Sequence, residues 1–530
     1  YAGIAGSNVA TVRSVVMVLV FVAAALVDRQ RHLLVSLAFA AIVVVLSGPG
    51  AARDISFQLS FVAVLGLLYG MERFWPWWKQ WEERRLVRLR GWRARLWRPL
   101  AVYMMVSVSA LAATTPLTAL HFNQVCLAAP LANAVVVPLL GSAAVALGLL
   151  AAMAYAVSQP LAQLFTMIAG PCVWLGVWLV ELFARWPWAA VRVVTPTVLE
   201  LAIVYAALWM LVRMSGRARI VGIAGLTVVA LGDGAWWYAD RYYRAAMQIT
   251  FLSVGQGDSA VVELPGSEVM VIDGGGLGSP TFDVGERVIA PFLWSRKIAH
   301  VDYLVLSHPQ WDHYGGFAFL AEQFSPREFW SNGTGATSVR FAQLQQALRA
   351  GDAHSVAMCR GMQSRLGVVD AVVLAPPPVL DGLDVNDQSL VLSLAYGPTR
   401  VLFSGDIEAP AEADMVAASD GALASAILKV PHHGSHTSSS EEFLDAVAPQ
   451  LAVVSAGFEN RFHFPHLDVV ARYTARRAAL ARTDLDGAVQ VRIAAGGDVV
   501  VRRGRDWAGR RSWQPLRQEA TAVDSPMSGR

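Results

Sequence analysis

The residues most suited to chemistry lie in His308-Pro309-Gln310-Trp311-Asp312-His313, followed by Gly315-Gly316. The segment comes directly after Tyr303-Leu304-Val305-Leu306, an apolar run that reads as a buried strand. A strand that ends at a histidine and turns through a short loop carrying Asp and His can aim several ligands at one point. Imidazole nitrogen and carboxylate oxygen are the ligands of hydrolytic Zn²⁺ and Mn²⁺ sites. Other candidates stand at strand ends too. Asp258 lies in Gly255-Gln256-Gly257-Asp258, Asp273 follows Val271-Ile272, and Asp406 follows Val401-Leu402-Phe403. His432-His433-Gly434-Ser435-His436 follows Leu428-Lys429-Val430. Singly, each has a plain structural reading. An Asp beside Gly bonds its own turn, Asp406 caps the helical run after it, and a surface His does nothing. Together and in this order they predict a metal site.

The elements that would position these groups begin at Met247. Short apolar runs such as Gln248–Val254, Ala260–Leu264, Val269–Ile272, Leu390–Leu394, Val401–Phe403, Ile427–Val430 and Leu451–Ser455 alternate with Gly/Asp turns and helical stretches such as Ser338–Ala350. This is the pattern of one α/β domain over residues 246–503. In α/β folds strand ends on one edge gather functional groups. Residues 504–530 are polar and read as a disordered tail.

Before the domain the composition differs. The whole chain of 530 residues is 55% hydrophobic and only 16% charged, with a mean hydropathy of +0.44, which excludes an ordinary soluble protein. The excess lies in residues 1–240. About eight apolar stretches there approach the length of a bilayer span: Val12–Val27, Leu33–Gly48, Ile55–Met71, Leu100–Leu120, Val125–Val157, Leu161–Phe183, Thr197–Met214 and Ile220–Tyr238. Pro130, Pro138 and Gly141 favour an interruption within the fifth. Counting that stretch as one crossing puts three Arg-bearing loops on one side: Arg29 and Arg31, the loop from Arg84 to Arg98, and Arg213 to Arg219. The positive-inside rule makes that side cytoplasmic and the α/β domain external. Trp75, Trp77, Trp78, Trp81, Trp92 and Trp97 around the basic loop read as an amphipathic helix at the lipid headgroups. The net charge of +3 excludes no partner. Cys126, Cys172 and Cys359 imply no disulfide framework. The chain opens at Tyr1 in mid-pattern and reads as a fragment lacking its natural N-terminus.

The loop His308–His313 resembles the His-x-His-x-Asp-His signature of the metallo-β-lactamase fold, with Gln310 where the second His would stand. Phe251-Leu252-Ser253-Val254-Gly255-Gln256-Gly257-Asp258, Asn386-Asp387-Gln388-Ser389-Leu390, Ser404-Gly405-Asp406 and Val430-Pro431-His432-His433-Gly434-Ser435 are similar to the outer domain of bacterial ComEC competence proteins. Ile55-Ser56-Phe57-Gln58-Leu59-Ser60-Phe61 and Ala129-Pro130-Leu131-Ala132-Asn133 resemble that family's membrane domain. The resemblance covers about residues 1–500 and places the family's N-terminal soluble domain before Tyr1.

The resemblance implies a polytopic helical membrane domain followed by an αββα sandwich. It implies a channel passing one DNA strand to the cytoplasm across the bacterial inner membrane, with an outer nuclease for the other strand. Single-stranded or double-stranded DNA, membrane lipid, a DNA receptor and a cytoplasmic DNA-translocating ATPase would be partners. Asp312 and Asp406 are the catalytic candidates. His308, Asp312, His313, Asp406 and one of His432 or His433 are the metal candidates, the residue before Gly434 being favoured. Asp258, Asp273, Asn386, Asp387, His436 and His466 complete the set. Gln310, and Asn386-Asp387 where a third His is expected, reduce the first metal site and predict one firmly bound ion, Mn²⁺ or Zn²⁺. Phe464 replaces a family His, and His463 or His466 takes its role or neither does. Gln58, His121, Asn123, Gln124 and Asn133 are candidates to line a hydrated DNA path, or else bond between helices. Two other readings remain: a membrane-anchored metallohydrolase with a non-nucleic substrate, and a channel whose outer domain is inactive.

Overall fold

The structure, a computed structural model, describes residues 33–85, 92–276, 282–419, 421–507 and 514–516, with Val15 and Leu19. The chain divides into two compact units, Tyr1–Asp233 and Gly234–Arg530.

The first unit is helical because long apolar runs can satisfy their own backbone groups as helices, and polar side chains within them such as Thr114 and Thr115 bond back to carbonyls of the same helix. Among the described residues, five helices are long and apolar enough to cross a membrane: Ile55–Glu83, Pro99–Phe122, Ala129–Tyr155, Gln159–Ala184 and Gly216–Tyr242, the last continuing into the second unit. Two more of the eight expected stretches are apolar helices, described over Leu33–Ser47 and Val198–Arg213, 15 and 16 residues. The stretch Val12–Val27 lies almost wholly outside the described residues. The fifth stretch forms one apolar helical run, Ala129–Tyr155, and its expected interruption takes the form of a π-helical segment, Val137–Ala144, containing Pro138 and Gly141. Proline cannot donate to the α-helical ladder, and a wider turn accommodates that without breaking the helix. Trp75 to Trp81 prolong the helix Ile55–Arg85, and Trp92 and Trp97 begin the helix Trp92–Phe122. Residues 86–91 of the expected headgroup helix lie outside the described residues.

The second unit holds two sheets face to face. The nine-stranded sheet runs, in spatial order, Gln514–Pro515, Val499–Arg503, Val489–Ile493, Met247–Phe251, Ala260–Glu263, Val269–Ile272, Tyr303–Val305, Glu328–Ser331 and His354–Ala357. The seven-stranded sheet runs Ala479–Arg482, Leu451–Val454, Ile427–Lys429, Thr399–Phe403, Val391–Tyr396, Val369–Ala375 and Gln363–Leu366. Every residue of Met247–Phe251, Ala260–Glu263 and Val269–Ile272 is buried, as expected for strands covered on both faces. Ile249, Val262, Met270, Leu392, Val401, Val453 and Val491 pack between the sheets. Phe443, Leu444, Val447 and Tyr473 cover the outer face of the seven-stranded sheet. Phe317, Leu320 and Phe324 belong to a helix following the loop His308–His313. This is the αββα sandwich that the resemblance implies, within the α/β class that the strand pattern predicts.

Two features of the topology matter for the site. Val269–Ile272 pairs in parallel with Tyr303–Val305, and Thr399–Phe403 with Ile427–Lys429 and then Leu451–Val454. Ile272 and Val305 are register partners, as are Phe403 and Lys429, so the carboxyl ends of each set leave their sheet at one edge. Part of the expected disordered tail is instead folded in. Gly504–Trp507 forms a helical turn, Gln514–Pro515 pairs with Val500 and Val501, and Leu516 is buried between the sheets. Burial of that leucine fixes a segment whose polar neighbours gave no sign of it.

Phe251 and Phe403 meet across the two sheets with ring centroids 5.9 Å apart. Phe251→Ala should destabilise this unit by about 3–5 kcal/mol, read from denaturant unfolding. A loss below about 1 kcal/mol would show that the sheets do not depend on this contact.

Candidate metal centre

The carboxyl edge of the sandwich brings the strand-end residues to one place. After Ile272 the chain turns at Asp273 with φ 58°, and after Lys429 it passes through His432, His433 and Gly434 at φ 46°, 54° and 85°. Two consecutive non-glycine residues in the left-handed region are costly unless packing enforces them. Here the turn swings His433 inward. Gly434 allows the approach of Pro465, whose Cβ would stand 2.5 Å from any Cβ added there. Gly405, at φ 56°, leaves room for Ser389, whose Cβ would be 2.7 Å from an added Cβ. That clearance lets the Ser389 hydroxyl accept from the Asp406 amide at 3.1 Å.

One ligand atom each from Asp258, His313, Asp406 and His433 lies within 4.8 Å of the others, and all four residues are buried. His313 Nε2 and His433 Nε2 are 3.2 and 3.1 Å from Asp406 Oδ2. Neither nitrogen makes a hydrogen bond. Their tautomers follow from the opposite ring atoms. His433 Nδ1 donates to the Ser455 carbonyl at 2.9 Å and His313 Nδ1 donates to Asp273 Oδ2 at 3.0 Å. A carbonyl or carboxylate only accepts, so each Nδ1 carries a proton and each Nε2 faces Asp406, where a bound cation would take the nitrogen's lone pair in place of a proton. Asp273, which also accepts from the Ser307 amide at 2.8 Å, therefore orients a ligand and is not one of the four. The convergence of unbonded buried nitrogens on shared carboxylates fits one divalent cation with mixed nitrogen and oxygen ligands.

His308 and Asp312 border the cluster. The His308 ring is 4.2 Å from that of His313, its Nδ1 lies 3.1 Å from Ser307 Oγ and 3.3 Å from Ser389 Oγ, and its buried Nε2 has no hydrogen-bond partner. Asp312 Oδ2 is 3.5 Å from His433 Nε2. Electrostatics separate the histidines. Burial, aided by the charge of His313, lowers the pKa of His308 to about 3, leaving it neutral. Burial also opposes charge on His313 and His433. Even so, the surrounding carboxylates, Asp406 foremost, hold both pKa values well above the ordinary imidazole range. Asp406 is held well below the carboxylate range because His433, His313 and Lys429 outweigh its burial. The cluster is a place where the protein concentrates negative charge and attracts a cation.

The remaining expected residues stand apart. His432 turns away, its Nδ1 2.9 Å from Glu408 Oε1, so of the adjacent pair only His433 joins the cluster. Asn386 Oδ1 accepts from Gln310 Nε2 at 2.6 Å, so the two amides at positions of the reduced first site satisfy each other. Asp387 accepts from the Glu408 amide at 2.8 Å and so holds a turn. His436 and His466 are solvent-exposed, with ring centroids 5.7 Å apart, and neither joins the four-ligand group. His463 is exposed as well, and the place beside His433 is taken by Phe464, stacked at 6.4 Å with a 22° interplanar angle. In the membrane unit the candidate path residues make internal bonds. His121 Nε2 lies 2.8 Å from Gln58 Oε1, Asn123 Nδ2 donates to Thr195 Oγ1 at 2.7 Å, and Asn133 Nδ2 donates to Ser107 Oγ at 3.1 Å. Gln124 sits in a two-residue strand paired with Arg192.

Sequence reasoning missed Lys429. Its ammonium is buried, donates to the Gly405 carbonyl at 2.8 Å, lies 3.2 Å from Asp406 Oδ1 and pairs with Asp258. Asp258 and Asp406 overcome its burial and raise its pKa. The signal was present: a lysine ending the otherwise apolar strand Ile427–Lys429 needs a buried partner.

Comparison with known proteins agrees with the two-part architecture. Residues 252–457 match the metallo-beta-lactamase superfamily, which is the class that the sandwich and its edge cluster define. Residues 1–218 match the family described as competence protein. The chain is thus similar to competence proteins over its first part and to the metallo-beta-lactamase superfamily over its second. The competence protein ComA of Neisseria gonorrhoeae is 29% identical over 500 residues, 94% of this chain and 64% of that protein. The ComE operon protein 3 of Bacillus subtilis is 29% identical over 256 residues, 46% of this chain and 33% of that protein. The chain thus spans less than two thirds of either relative. Among solved structures, the metallo-β-lactamase fold protein YhfI of Bacillus subtilis is 12% identical with a TM-score of 0.30, over 45% of this chain and 96% of that one.

Removal of a ligand should cost at least as much as removal of an orienting partner, roughly tenfold or more in metal affinity. His433→Ala and Asp406→Ala should therefore lose bound Mn²⁺ or Zn²⁺, measured by elemental analysis and calorimetry. His432→Ala and His466→Ala should retain it. Equal loss from His432→Ala would overturn the assignment.

Proposed function

We propose that this chain is part of a DNA-internalisation channel and that its metallo-β-lactamase-like domain, on the outer face of the inner membrane, hydrolyses phosphodiester bonds of the strand that does not enter. The observation that carries this reading is the cluster of Asp258, His313, Asp406 and His433 in a chain whose first part is similar to competence proteins. DNA, a DNA receptor and a cytoplasmic DNA-translocating ATPase are the partners it implies.

His313, His433, Asp406 and Asp258 would hold a single divalent cation, with His308 and Asp312 at its border. Such an ion, when bound, supplies Lewis-acid polarisation of a phosphoryl oxygen and lowers the pKa of water. The chain's own groups do the rest. Asp312, half-exposed beside His433, is placed to accept a proton from an attacking water. Lys429 neutralises part of the charge of Asp258 and Asp406 from the interior side, which lowers their repulsion of a phosphodiester anion and of the second negative charge that develops as water attacks. The mutual hydrogen bond of Gln310 and Asn386 supports one ion instead of two, because those amides are committed to each other. In the membrane unit Gln58 with His121, and Asn133 with Ser107, would mark where helices part around a strand.

Two measurements test this reading. Manganese-dependent cleavage of single-stranded DNA by the purified chain should disappear in Asp312→Ala, and cells lacking the chain should fail to import labelled DNA. Unimpaired import would reject the channel, and a chain that neither binds metal nor cleaves would leave a channel with an inactive outer domain. Metal stoichiometry should be one ion per chain and rise towards two in the Gln310→His, Asn386→His double variant. Two ions in the unaltered chain would reject the single-ion reading.

A further inference from the structure

Two aromatic side chains at the border of the metal centre each carry an arginine over the ring. On one side the Arg461 guanidinium lies 4.7 Å from the centroid of Phe462. Phe462 stacks on Phe464 at 5.5 Å with an interplanar angle of 17°, and Phe464 stacks on His433 at 22°. The rings form a nearly parallel ladder that starts at a member of the four-ligand cluster and ends at Phe462, 47% exposed, with Phe458 71% exposed in the same loop. On the other side the Arg340 guanidinium lies 4.5 Å from the centroid of Trp311, the residue before Asp312, and Trp311 is only half-buried. Phe462 stacks on Phe464 while staying open to solvent, so it contributes little to the folded core. Nor does a hydrolytic site need aromatic walls to hold a phosphate, for which cations alone suffice.

We propose that Phe462 and Trp311 are stacking platforms for unpaired nucleobases on the two sides of the metal centre, with Arg461 and Arg340 serving the adjacent phosphates or the base faces. The inference rests on the nuclease reading above and adds what it leaves open, the way in which substrate is held. Flat rings with a guanidinium alongside are the chemistry that grips single strands without regard to sequence, since every base has a π-face. Bases in a duplex are already stacked and paired, so only a single strand can offer one to Phe462. Stacking next to the cluster would hold the backbone with a phosphodiester facing His433 and Asp312.

The test is fluorescence anisotropy of the full chain in detergent, with EDTA present to prevent cleavage. The probes are a labelled oligothymidylate and an abasic oligonucleotide of equal length. The unaltered chain should bind the thymidylate roughly five- to hundredfold more tightly, the range expected for one to two stacked bases. Phe462→Ala and Trp311→Ala should each reduce that preference, and Phe462→Tyr should keep it. Arg461→Ala should lower affinity for both oligonucleotides and flatten the salt dependence. Equal binding of the two probes by the unaltered chain, or a preference untouched by both alanine variants, overturns the stacking platforms while leaving a DNA-binding domain. Failure to bind either probe overturns the nuclease reading and the platforms with it.

Discussion

The site depends on one buried charge. Asp406 is 2% exposed at the end of a central strand, where a lone carboxylate could not remain ionised. The protein surrounds it with His313, His433 and Lys429. Each of these then needs its own support. His313 leans on Asp273, His433 on the Ser455 carbonyl, and Lys429 on Asp258 and the Gly405 carbonyl. The left-handed turn at His432 and His433 and the glycines beside it exist to close this network around one carboxylate.

That arrangement explains why the domain has so much negative charge in its interior and still folds. The parallel strands carry their polar groups only past their last apolar residue, so the carboxylates meet at the edge of the sandwich and not between its sheets. There the balance of acids against the ammonium and the two imidazoles is what a divalent cation would change. Lys429 makes the balance different from that of a site built from carboxylates and imidazoles alone, and Gln310 bonds to Asn386 as one neutral amide to another.

The two units are built for different solvents. The helices of the first leave their apolar windows largely uncovered, with none of Ala129–Tyr155 or Gly216–Tyr242 buried over that window, an arrangement that hydrocarbon stabilises and water does not. The second buries both faces of its central strands and presents its chemistry at one edge.

Much of this was legible in the sequence. The α/β class followed from the alternation of short apolar strands with helical runs, the αββα sandwich from the family resemblance, and the candidate ligands were polar groups placed immediately after those strands. The membrane character followed from uninterrupted apolar length. What the sequence left open needed the third dimension. His432 and His433 are adjacent and chemically identical, and only the backbone conformation of their turn sends one inward and the other to Glu408. His436 and His466 carry the right chemistry, but they emerge on the solvent side of the same loops. Lys429 looked like an ordinary strand residue until the neighbouring strand placed Asp406 against it. Sequence determines which groups are available, because periodicity and residue type are local. Tertiary structure alone decides which of them face one another, because the register between strands distant in the chain sets the distance between their ends.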